Sequence, residues 1–194
     1  MDNKYVNTFI ITGTVVTVFE KNSTLLIRLA TAPYGHVDYP LVVLYDNERK
    51  HLVKRELVKR GQRLTVSGYV LTSAKYPLGS LVVTNVVVEK SRLEVAFDDN
   101  EEFVRDQNII KFKGLMNYQA RKINDNTARF AIQTLEPSGR FVYPHCVTFD
   151  NNAHRLLQLP ANTPIACLCY AQTKRLDRTT TLQSYVAQAI ETLS

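Results

Sequence analysis

PLVVLYDNERKHLVKRELVKRGQRLTVSGYVLT, residues 40–72, contains the change of pattern that decides the fold. Its first six residues are large or β-branched apolar residues closed by a tyrosine, the chemistry of a strand. From Asn47 the period changes. Leu52, Val53, Leu57 and Val58 fall on a narrow apolar stripe at helical spacing, and Gly61 stands where the helix must stop. Strand chemistry returns in LTVSGYVLT (64–72).

Working outward, TFIITGTVVTVF (8–19) and TLLIRLAT (24–31) read as strands before this stretch, and SLVVTNVVV (80–88) as a strand after it. In the second strand Leu25, Ile27 and Leu29 alternate with Leu26, Arg28 and Ala30, so one face is drier than the other. Three strands, a short helix and two strands is the element order of the OB-fold, a five-stranded Greek-key barrel.

The order then repeats. Strand-like runs occupy 109–119, 127–134, 141–149, 164–173 and 180–190, and a short helix, NNAHRLLQL (151–159), again separates the third from the fourth. The last run, with Ala187 and Ala189, also admits a terminal helix. Landmarks recur at a nearly constant offset: Gly13 and Gly114, Tyr45-Asp46-Asn47 and Phe149-Asp150-Asn151, Tyr69 and Tyr170, Leu81 and Leu182. The glycines suit bends that let a first strand curl into a barrel. The expected fold is all-β with short helices: two tandem OB barrels at 1–90 and 109–194, joined by a connector at 91–108.

Charge follows the same division. Residues 1–90 carry 12 Lys/Arg against 7 Asp/Glu, residues 91–108 carry 2 against 6, and residues 109–194 carry 10 against 5, within a net charge of +6. Two basic blocks around an acidic connector suggest two polyanion-binding modules, although solvated surfaces alone give the same balance. The connector's FDDNEEF core reads as a solvated acidic stretch, with shielding of a basic groove as the sharper alternative. At 45% hydrophobic and 22% charged residues the chain is an ordinary globular protein, with no apolar run long enough to cross a bilayer and no apolar signal core in MDNKYVNTF. A cytoplasmic protein with no membrane partner is expected. Cys146, Cys167 and Cys169 form no C-x-x-C pair, and packing is expected over a zinc site with His145.

A groove for single strands needs cations along the backbone path and flat rings on which bases stack. Tyr34 lies in the turn between strands two and three, Tyr39 and Tyr45 share one face of strand three, and Tyr76 sits beside Lys75 in the loop between strands four and five. Pro40, Val42 and Leu44 are then expected to face the core. Arg28 and Lys75 are the phosphate candidates of this half. In the second half Tyr143-Pro144 answers Tyr39-Pro40, and Phe149 takes the place of Tyr45. Arg121, Lys122, Arg129, Lys174, Arg175 and Arg178 are its cations. Packing at barrel ends is the competing explanation for any single ring.

Residues 38–76, and VKRGQRLTVSGYV (58–70) most closely, resemble the OB domain of bacterial single-stranded DNA-binding proteins (SSB). The resemblance extends over residues 5–90 and is weaker over 109–194. It implies base stacking at the end of strand two, at both ends of strand three and in the strand-four/five hairpin, positions held here by Tyr34, Tyr39, Tyr45 and Tyr76. It also implies service in replication, repair, recombination or plasmid transfer. By analogy with four-domain assemblies, it is compatible with a homodimer presenting four OB domains, with a monomer or a filament left open. The chain departs from the family in lacking tryptophan and in ending AIETLS rather than in an acidic tail.

No phosphate-cradling loop, dinucleotide fingerprint, zincin helix or nucleophile elbow occurs, and the carboxylates cluster in the connector. The expectation is therefore a non-enzyme with no cofactor and no metal. The alternative is an OB-fold interaction subunit of a replication or primosome assembly with little DNA affinity of its own. The rings and cations permit RNA equally well.

Overall fold

The computed structural model describes residues 4–21, 24–45, 58–73, 79–95, 102–175 and 181–193. The helix expected between the third and fourth strands falls mostly on 46–57, outside the described residues, as do Lys75, Tyr76 and Arg178. The chain forms two compact units. One comprises Ile10–Gly68 and Leu81–Asn108; the other comprises Met1–Phe9, Tyr69–Ser80 and Ile109–Ser194.

The first five strands are β1 (Val6–Lys21), β2 (Thr24–Ala30), β3 (Leu41–Leu44), β4 (Arg63–Leu71) and β5 (Ser80–Glu89). They pair in the order β2-β3-β5-β4-β1, and β1 also pairs with β2, so the sheet closes on itself. β3 and β5 run parallel, with Val42 opposite Leu81. This is the Greek-key closure of an OB barrel. Two features bend β1 enough to serve it. The register with β2 shifts between Val15 and Thr17, a bulge that increases local twist. A Cβ at Gly13 would fall on the carbonyl oxygen of Ala30, so only glycine allows the approach. The alternation read in β2 holds: Leu25, Ile27 and Leu29 are buried, with Val42, Leu44, Leu64, Val66 and Leu81 beside them in the core.

The second set is β6 (Gln107–Met116), β7 (Arg121–Asn124), β8 (Thr127–Leu135), β9 (Phe141–Val142), β10 (His145–Phe149), β11 (Pro164–Arg175) and β12 (Thr181–Thr192). The order β6-β11-β12-β10-β8, closed by β6 with β8, reproduces the first topology strand for strand. β10 and β12 run parallel, as β3 and β5 do. Among the described residues the helices are α1 (Arg92–Val95) and α2 (Asp150–Leu157), the latter burying Ala153 and Leu156.

The repeat extends to single hydrogen bonds. Val15 N donates to Gln62 O at 2.8 Å, and Met116 N to Thr163 O at 3.0 Å. Gly61 N returns to Val15 O, and Asn162 N to Met116 O, with Gly61 and Asn162 both at positive φ. Leu29 N donates to Pro40 O, and Ile132 N to Pro144 O. Thr31 Oγ1 donates to Thr12 O, and Thr134 Oγ1 to Lys113 O. A Cβ at Gly114 would fall on Gln133 O, as one at Gly13 falls on Ala30 O.

Four sequence expectations need correction. The run 141–149 is broken at Tyr143-Pro144, because a proline there supplies no N–H for a continuous ladder. The strand β7 was not anticipated, its RKIN sequence being short and polar. Leu81 corresponds to Tyr185 rather than Leu182: Val42 faces Leu81 as Cys146 faces Tyr185, and Leu182 is exposed. The connector is not wholly irregular, since Ser91 and Glu94 cap α1 reciprocally. The last run keeps its strand reading: it is β12, and the alternative of a terminal helix falls.

Among the described residues no helix is long and apolar enough to cross a membrane. Cys146, Cys167 and Cys169 are buried free thiols, and burial raises the pKa of Cys167 and Cys169.

Candidate nucleic-acid interface

In the first barrel the strand β3 sets two rings. Pro40, Val42 and Leu44 point inward and are buried, so the flanking Tyr39 and Tyr45 are turned outward, 42% and 38% exposed. Val43 departs from simple alternation: it is buried on the outward side. Arg28, opposite Leu41 across β2 and β3, reaches along the surface and donates from its guanidinium to Tyr39 O at 3.4 Å. Arg28 and Tyr39 are therefore brought together. Tyr34, 40% exposed in the β2–β3 loop, donates its hydroxyl to Asn108 O at 3.3 Å, and partial burial raises its phenol pKa. That hydrogen bond fixes the edge of the ring and leaves part of its face open.

A further ring was missed. Phe19 on β1 is 45% exposed and lies opposite Leu26, itself opposite Val43. The β-branched run 14–18 before it hides it, because its Thr and Val residues show no alternation that separates outward from inward positions.

The second barrel repeats the arrangement. Tyr143 and Phe149 flank β10 and are 38% and 42% exposed, close to the values of Tyr39 and Tyr45. Tyr143 is held by its backbone N–H, which donates to Thr72 Oγ1 at 2.9 Å. Cys146 and Thr148 face the core, so His145, Val147 and Phe149 face outward. Arg129 on β8 lies opposite both Val147 and Arg121, which places two guanidinium-bearing residues side by side on this face. Arg121 stands over the Tyr118 ring at 5.4 Å, and Tyr118 meets His145 edge to face at 6.3 Å. Burial, with the Arg129 charge added, lowers the pKa of His145. Tyr118 and His145 were not selected from sequence, since only the β7–β8 hairpin folds them against the arginines.

The remaining cations separate. Lys122 is paired with Asp125 at 2.6 Å, which holds that carboxyl below its ordinary range. Lys174 is exposed on β11 opposite Leu182. Arg175 ends β11 opposite Thr181, and its side chain lies outside the described residues. Among the described residues no three His, Cys, Asp or Glu side chains gather as a metal site.

No protein-family model and no curated protein sequence matches the chain. Among solved structures, the wild-type single-stranded DNA binding protein from Thermus aquaticus superposes with a TM-score of 0.71 at 14% identity, covering 99% of this chain and 95% of that one. A deletion mutant of the Thermus protein gives 0.67, also at 14% identity, covering 98% and 96%. The OB architecture is thus shared with these proteins over nearly the full length of each.

Proposed function

We propose that the chain binds single-stranded DNA without reading its sequence, stacking bases on outward rings and pairing phosphates with neighbouring cations. Two pairs of half-exposed rings at equivalent positions carry this reading: Tyr39 and Tyr45 around β3, Tyr143 and Phe149 around β10. Each pair has arginine near it, Arg28 in one case and Arg129 with Arg121 in the other. Rings of this kind serve any base, and counterion release makes the affinity fall as salt rises. The Thermus neighbours are single-stranded DNA binding proteins, which supports the same reading.

In this account residues 1–90 and 109–194 are two binding modules joined by 91–108. Tyr34 and Phe19 extend the track of the first module, and Tyr76, Lys75 and Arg178, outside the described residues, are further candidates by sequence. Lys174 and Arg175 add charge to the second module, whereas Lys122 is largely neutralised by Asp125. Two copies give four OB domains, and the protein protects or presents strands in the cytoplasm during replication, repair, recombination or plasmid transfer.

Anisotropy of a labelled oligo-dT at two salt concentrations tests the proposal, with oligo-U in parallel for RNA. Salt-sensitive binding that weakens in Tyr39→Ala is the expected result. No anisotropy change with either oligonucleotide overturns it, in favour of a protein-interaction subunit.

A further inference from the structure

The unit of Ile10–Gly68 and Leu81–Asn108 contains an open cleft of about 750 Å³ that none of the rings above lines. Among the described residues Arg63, Arg92 and Arg105 border it, with Asp106 as the one carboxylate of the lining. The occupant of its edge is the connector itself. The Phe103 ring has guanidinium carbons near it at 4.5 Å (Arg63) and 4.9 Å (Arg92). Three residues on, Asp106 Oδ1 accepts from Arg63 Nη2 at 2.6 Å, and Oδ2 accepts from Ala32 N at 2.8 Å. Arg63 also donates to Val104 O from Nε at 3.2 Å and Nη2 at 2.7 Å.

A flat ring contacted by two guanidiniums, followed at short range by an anion on a guanidinium and a backbone N–H, is the chemistry a nucleotide presents. We infer that this cleft is a subsite for one nucleotide of a bound single strand, and that Phe103 and Asp106 occupy it as an internal stand-in when no strand is present. The inference rests on the single-strand reading above. It adds a site that none of those tyrosines lines and a competitor built into the chain.

The energetics allow the exchange. The Arg63 side chain is only 10% exposed, so stripping it of its anion would be costly. A phosphate replaces Asp106 with another anion, and a base replaces Phe103 with another ring, so neither the charge nor the cation–π partner of Arg63 is lost. A purely structural clasp would need the Arg63–Asp106 pair and the Val104 carbonyl. It would not need the exposed Arg92 at the Phe103 ring, nor open volume beside it.

Hydrogen exchange of the full chain, with and without oligo-dT, reads the connector directly. Binding is expected to speed exchange at the amides of Val104, Arg105 and Asp106 as the segment is displaced. In parallel, Phe103→Ala is expected to bind oligo-dT about tenfold more tightly, the gain when a competitor holding a site about nine-tenths of the time is removed. Phe103→Leu, which keeps apolar bulk without a π-face, is expected to fall between the two and guards against misfolding of the alanine variant. Wild-type binding with unchanged or slower exchange at these amides, or with no tighter binding by either variant, overturns the inference and leaves the tyrosine reading standing. Absence of any wild-type binding removes both.

Discussion

Arg121 on β7 and Arg129 on β8 are direct register partners across an antiparallel pair, with both side chains exposed. Like charges in that relationship oppose folding; Arg121 stands over the Tyr118 ring, and among the described residues no ion pair joins either arginine to a carboxylate. A bound phosphate would relieve the repulsion. Arg129→Gln is therefore expected to raise unfolding stability by about 0.2–1 kcal/mol while weakening oligo-dT binding. It should also lower the slope of log affinity against log salt by about 0.7. Urea unfolding and a salt series check the two halves, and a variant that loses stability without losing affinity contradicts the assignment.

Tyr39 and Tyr143 precede the prolines whose carbonyls accept from Leu29 N and Ile132 N, so each ring is anchored the same way in its own barrel. Tyr39→Ala and Tyr143→Ala should each cost about 1–3 kcal/mol of binding, roughly 5- to 150-fold, if each stacks one base. Both rings are partly exposed, so stability should move little. Anisotropy titration and thermal melts measure these separately.

Much of this was legible in the sequence because it is local. Tyr-Pro before a strand, glycine in a first strand and an apolar run ended by an aromatic residue recur in both halves, and several backbone hydrogen bonds recur with them. What escaped depends on distant pairing. Tyr118 and His145 meet the arginines only through the β7–β8 hairpin, and RKIN is too short and polar to announce a strand. Phe103 finds Arg63 across forty residues of chain that periodicity cannot connect. The Leu81 correspondence slipped to Leu182 because a constant offset ignores the greater length of β11 over β4.

Gly13 and Gly114 are predicted to be equally intolerant of a methyl group. In each case the added carbon meets a backbone carbonyl, at Ala30 or Gln133, which cannot rotate away as a side chain would. Gly13→Ala and Gly114→Ala should each destabilise by about 1–3 kcal/mol, the usual cost of overpacking. Denaturant midpoints provide the test. Gly35, with open space around it, serves as the steric contrast, although its positive φ adds its own smaller strain.

His145 gives a pH dependence with a definite sign. Its folded pKa lies below the ordinary value of about 6.5, from burial first and the Arg129 charge second. Below that value the unfolded chain binds more protons than the folded one. The stability contributed by neutral His145 is thus present above about pH 6.5 and is lost as pH falls through the lowered folded value. Urea midpoints compared on the two sides of that window should fall more for the wild type than for His145→Gln. Equal falls would remove His145 from the account.

The central claim, that exposed tyrosines contact the bases of a single strand, is tested most directly by intrinsic emission. The chain has ten tyrosines and no tryptophan, so no indole masks the emission of the rings in question, and the Tyr39 and Tyr143 variants isolate their share of it. Titration with poly-dT at low and high salt should quench tyrosine fluorescence, with the quenching weakened by salt and visibly reduced in the Tyr39→Ala, Tyr143→Ala double variant. Emission that stays constant while poly-dT is bound, or quenching that the double variant leaves intact, would contradict it.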